Sequence, residues 1–104
     1  MQLDREDVIR LFTSLGDAMR LEIIFLLGEH ERLNVGEIAV HFQLSRPAIS
    51  HHLKVLKDAR ILKSQKSATE VYYWLDMASL SGRLRAILAR LEACSVATNV
   101  QENR

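Results

Sequence analysis

Residues 45–56, Ser45-Arg46-Pro47-Ala48-Ile49-Ser50-His51-His52-Leu53-Lys54-Val55-Leu56, leave this chain few options. Ser45 is a good N-cap, because its hydroxyl can accept from the unpaired N–H groups of a first turn. Pro47 falls in that turn, where a missing N–H costs little. Ile49, Leu53 and Leu56 recur at helical spacing and form one apolar stripe. The other face carries Arg46, Ser50, His51 and Lys54, with no carboxylate among them. Such a helix docks on a core with one side and offers donors and hydroxyls with the other. That suits a groove lined by acceptors and phosphates, although an ordinary solvated helix face has the same look.

The preceding stretch weighs toward the groove. Asn34 with Glu37 has the capping-box arrangement, and Val35, Ile38, Ala39 and Phe42 lie on one face of a short helix. Gln43-Leu44 is a tight connection into Ser45. Two short helices joined this way form a helix-turn-helix, with the second placed for the major groove.

Charge supports the same reading. The formal net charge is only +1, but it is unevenly spread. Residues 1–44 hold four Arg against eight Asp and Glu, net −4. Residues 45–66 hold Arg46, Lys54, Lys57, Arg60, Lys63 and Lys66 against Asp58 alone, net +5. A local positive field of this kind is the footprint of a phosphate-binding surface.

The rest of the chain supplies the body. Residues 4–14 read as a helix with Val8, Leu11, Phe12 and Leu15 on one face and Asp4, Glu6 and Asp7 near its start. Asp17 is a plausible N-cap for a helix that is apolar nearly all round and ends at Gly28. Glu29 to Arg32 is a polar connector, and Leu33 an anchoring contact. Ile61 to Lys66 and Glu70 to Leu75 read as two strands joined by Ser67-Ala68-Thr69. Val71, Tyr73 and Leu75 would then face the core. This hairpin is the wing of a winged helix, with Lys63, Gln65, Lys66 and Ser67 near the backbone or minor groove. A last helix from about Met77 to Ala97 carries Leu80, Leu84, Ile87, Leu88, Leu91 and Cys94 at a/d-like spacing, which predicts packing against another chain. The expected fold is mainly α with a small β-hairpin, in the order α-α-α-α-β-β-α, and dimeric. Residues 1–97 form one DNA-binding and dimerisation domain, and 98–104 a flexible tail. One cysteine and a polar N-terminus fit a reducing cytoplasm, and no apolar run approaches a membrane span.

Taken together, Leu11-Phe12, Leu15 to Leu21, Val35 to Ala39, Leu44 to Leu56 and Val71 to Leu75 resemble the ArsR/SmtB family of bacterial transcriptional repressors, over about residues 8–91. The resemblance implies a homodimer on a pseudo-palindromic operator in double-stranded DNA. It places the first and last helices at the dimer interface, and implies base or backbone contacts from Arg46, Pro47, Ser50 and His51. With the residues already read, the expected DNA contacts are Arg46, Pro47, Ser50, His51, Lys54, Lys63 and Lys66. The expected interface holds Leu11, Leu84, Ile87, Leu88 and Leu91.

The departures are specific. A Cys-Val-Cys pair in metal-sensing members is matched here by Asn34, Val35 and Gly36, which cannot hold a soft metal. Residues 80–97 lack the Asp and His that ligate zinc in others. Cys94 stands alone, whereas redox-sensing members use a pair. The wing tip has Ala68-Thr69 in place of Gly-Arg, and Arg60 replaces a Gly common after the recognition helix. No metal, no cofactor and no enzyme activity are expected, and a small-molecule effector is left open. A metal- or redox-responsive repressor of the same fold is one alternative. A winged helix used only for protein contact is another, although it has no need of a net +5 over residues 45–66.

Overall fold

The computed structural model describes residues 3–102, with side chains as far as Cys94. Helix α1 spans Arg5–Leu15 and α2 Ala18–Gly28. A two-residue strand β1, Leu33–Asn34, leads into α3, Val35–Phe42, and then α4, Arg46–Asp58. Strands β2, Leu62–Ser67, and β3, Glu70–Leu75, precede the long α5, Met77–Glu102. The strands form one antiparallel sheet in the order β1-β3-β2.

Each helix start is set by a side-chain oxygen. Asp4 accepts from the N–H of Glu6, Asp17 from Arg20 and Ser45 from Ala48. Asn34 and Glu37 complete the capping box in both directions. The helix ends of α3 and α4 share another device. At α3, Gln43 takes the left-handed conformation (φ 56), with Gln43 N–H donating to the Val40 carbonyl and Leu44 N–H to that of Ala39. At α4, Arg60 does the same at φ 60, with bonds from Arg60 to Lys57 and from Ile61 to Leu56. Both are Schellman ends built without glycine.

The core joins all the helices. Leu11, Ile23, Ile38, Ile49, Leu53, Leu56 and Ile61 are wholly buried, and Tyr73, Leu75 and Ile87 pack on their edge. Leu11, expected between chains, is therefore a core residue of its own chain; α1 leaves Ile9 and Phe12 exposed instead. The predicted face of α1 is corrected at Phe12 as well, which is half exposed. In α2, Ile23, Ile24, Leu26 and Leu27 are buried but Phe25 is not, so this helix is covered on one side rather than all round.

Strand β1 had no counterpart in the sequence reading. It pairs Leu33 with Tyr73 and Asn34 with Tyr72. The β2 strand begins one residue later than expected, at Leu62, and Ala68 turns the hairpin at φ 57. The backbone of α5 continues past Ala97 to Glu102, inside the stretch expected to be a tail. The side chains of residues 95–104 lie outside the described residues.

Candidate nucleic-acid interface

Helix α4 presents two contrasting faces. Ile49, Leu53 and Leu56 are completely buried, while Arg46, Pro47, Ser50, His51, Lys54 and Lys57 are exposed. The core thus fixes the rotation of the helix, and that rotation aims one row of polar side chains outward. The helix dipole adds to the field at the N-terminal end, where Arg46 and Pro47 stand.

The two adjacent histidines separate. His51 is exposed. His52 is half-buried, with Nδ1 3.4 Å from Arg20 Nη1 and 3.9 Å from Asp17 Oδ2. Arg20 in turn donates through Nε to the Ser14 carbonyl at 2.8 Å. The N–H of Arg20, donated to its carboxylate, holds Asp17 below the ordinary carboxylate range. The charges of Arg20 and His52 add to this, against a partial desolvation that opposes it. His52 thus ties the back of α4 to the start of α2, and His51 is the one left at the outer face.

Arg46 folds back across the turn. A Cβ placed on Gly36 would lie 2.6 Å from its Nη2, a contact that the exposed, flexible end of Arg46 relieves by shifting. The surrounding cleft is lined by Asn34, Glu37, Val40 and Glu70, but no carboxylate forms an ion pair with Arg46 among those of the described residues. In the sequence Gly36 stood out only as a position lacking a thiolate. Its closeness to Arg46 is a contact across the helix-turn-helix, which no local pattern encodes. Lys54 is held by Asp58 one turn on, at 3.0 Å, with both side chains largely exposed.

The hairpin splits the two wing lysines. Lys63 lies opposite Trp74 and Lys66 opposite Val71. Since successive side chains alternate between faces, Lys63 shares a face with Gln65 and leaves the sheet on the side opposite Lys66. Both are exposed. Lys66 stands beside the turn, where the hairpin reaches furthest from the core. Arg32 covers the face of Trp74, its guanidinium carbon 5.0 Å from the ring centre.

On α5, Leu84, Leu88 and Leu91 are exposed, whereas Ile87 is half-buried against the chain's own core. Ile9 of α1 lines one groove with Ile87 and Leu91 of α5, and Phe12 is exposed on α1 as well. Cys94 is exposed on the same helix.

Residues 17–64, from the Asp17 cap through α4 and into β2, match the model of the arsR family of bacterial regulatory proteins. The transcriptional repressor SdpR of Bacillus subtilis is 33% identical over 78 residues, which cover 75% of this chain and 86% of that protein. The HTH-type transcriptional regulator Rv2034 of Mycobacterium tuberculosis is 42% identical over 81 residues, covering 78% and 74%. The solution structure of the homodimeric winged helix-turn-helix DNA-binding domain of Mb0332 from Mycobacterium bovis, a possible ArsR-family regulator, superposes with a TM-score of 0.67. It is 25% identical and covers 86% of this chain and 89% of that one. Fold, helix-turn-helix and sequence agree, and the chain belongs to the arsR family of bacterial regulatory proteins, as a DNA-binding regulator of transcription with a winged helix-turn-helix and not as an enzyme.

Proposed function

We propose that the protein is a repressor that binds a pseudo-palindromic operator as a homodimer, in the cytoplasm, without a metal. The observation that carries this is the row Arg46, Ser50, His51 and Lys54, held outward by the buried Ile49, Leu53 and Leu56. Ser50 and His51 read base edges. Arg46 and Pro47 meet the backbone or bases at the helix start, and Lys54, Lys63 and Lys66 contact phosphates. The exposed apolar residues of α1 and α5 pair the two protomers; the homodimeric neighbour supports a dimer. Two linked recognition helices then meet two half-sites one helical turn apart.

Metal independence is supported by chemistry. By the family resemblance, Asn34 and Gly36 stand where metal-sensing members carry thiolates, and neither residue offers a soft ligand. A small-molecule effector or oxidation at Cys94 is the kind of signal this leaves.

Fluorescence anisotropy on an operator selected from random duplexes tests the roles. Ser50→Ala or His51→Ala should cost about 1–3 kcal/mol on the operator and relax its sequence preference. Lys63→Ala or Lys66→Ala should weaken all duplexes alike and flatten the salt slope by about one unit. The effect of Lys54→Ala should be smaller, because Asp58 already neutralises part of its charge. Equal losses on specific and random DNA for every variant would refute the division of labour.

A further inference from the structure

A second site lies away from the DNA face, where α1, the end of α4 and the start of α5 meet. Arg83 of α5 is 7% exposed. Its guanidinium donates to two carbonyls, through Nη2 to Arg60 at 2.8 Å and through Nε to Ser79 at 3.3 Å. It is in none of the ion pairs of the described residues. Asp7 and Asp76 lie near enough to favour its charge, but burial and the neighbouring Arg60 act against it and prevail, so the cation is incompletely compensated.

Beside it is a cavity of about 180 Å³. Arg83, Arg60 and Ser79 supply its donors. Leu3, Val8 and Leu11 give it an apolar wall, and Asp4 and Asp7 line it too. Asp7 is ion-paired with Arg60, and Asp4 accepts from the N–H of Glu6.

We infer that this cavity is a binding site for a short-chain monocarboxylate, of the size of propionate or butyrate. The carboxylate end pairs with Arg83 and Arg60, where the guanidinium fork matches its geometry. The alkyl end lies on Leu3, Val8 and Leu11. A single charge fits and a double one does not, because Asp4 and Asp7 share the cavity and repel a sulfate or hydrogen phosphate dianion. The ligand competes with Asp7 for Arg60, and so acts on α1, the end of α4 and α5 together. Only this regulatory consequence rests on the operator reading; binding itself does not.

The test uses the full chain without DNA, followed by amide NMR during titration with sodium propionate, butyrate or sulfate at matched ionic strength. The carboxylates should give saturable shifts at Val8, Arg60, Ser79 and Arg83, and sulfate none. Asp7→Asn removes the internal competitor and should tighten butyrate binding several-fold. Arg60→Gly keeps the left-handed backbone that Arg60 adopts, and should weaken it by about tenfold or more. Shifts that never saturate, that sulfate reproduces, or that keep the same affinity in both variants would overturn the assignment. None of these readouts depends on an operator, so failure of DNA binding would not be mistaken for failure of the site.

Discussion

Gln43 and Arg60 hold backbone conformations that an L-residue adopts at a cost of about 1–2 kcal/mol. Each is held there by the two bonds of its Schellman end and by an apolar neighbour, Leu44 or Ile61. Gln43→Gly should therefore stabilise the fold by about 1 kcal/mol, since glycine occupies this region without strain. Chemical denaturation would show it, and an unchanged or lowered midpoint would mean that the Gln43 side chain compensates. Asp17 supports a pH prediction. Its carboxyl is held below the usual range in the folded chain, so its contribution is present above the unfolded value near 3.8 and fades as pH falls through the lower folded value. Asp17→Asn keeps a capping oxygen but cannot titrate, and should flatten the acid limb of the stability curve. Comparing melting temperatures across that range checks it. These residues also show what a sequence discloses. Asp17, Asn34 and Ser45 were legible as caps because their own side-chain oxygens do the capping. Gln43 and Arg60 were not, because the backbone closes those helix ends and leaves no glycine to mark them.

The elements that sequence pattern misjudged are those whose surroundings come from far along the chain. Strand β1 has two residues, and one of them, Asn34, also caps α3. No alternation can appear over so short a run, and only the arrival of Tyr72 and Tyr73 makes it a strand. On helix α1 spacing put Val8, Leu11, Phe12 and Leu15 on one face, and sequence alone could not say where the core would cut that face. Leu11 faces inward and Ile9 and Phe12 outward. This division predicts different failures. Leu11→Ala should lower stability by about 2–5 kcal/mol, as a large-to-small change in a core. Leu88→Glu should leave the fold intact and give monomers, because it sets a charge in the surface proposed to join two chains. Sedimentation and thermal melting separate the two. A Leu88→Glu protein that stays dimeric would move the interface elsewhere.

At the scale of the molecule, the winged helix-turn-helix was legible because periodicity, caps and the uneven charge agreed on it. Which face of the wing each of Lys63 and Lys66 takes was not, since a register shift of one residue exchanges the two faces. Absence of a metal switch is testable as a whole-protein property. A metal releases DNA only if it binds the free and bound states differently. Operator affinity should stay the same in zinc, cadmium or arsenite at micromolar levels. A loss of about tenfold or more, reversed by chelator, would point to an overlooked site, first at His30 or His41. The described chain extends 59 Å along its longest axis and only 25 and 23 Å across, with α5 alone about 39 Å from end to end at 1.5 Å per residue. The short β1 strand has a further effect within this shape. Asn34, Tyr72 and Gln65 form one rung across all three strands, and Asn34 is also the cap of α3. Outward of that rung the wing is a two-stranded ribbon, while from it inward the sheet cannot part without uncapping a helix. Amide deuterium exchange should therefore change abruptly between Lys66 and Gln65, fast as fraying on the outer side and slow as the opening of α3 on the inner.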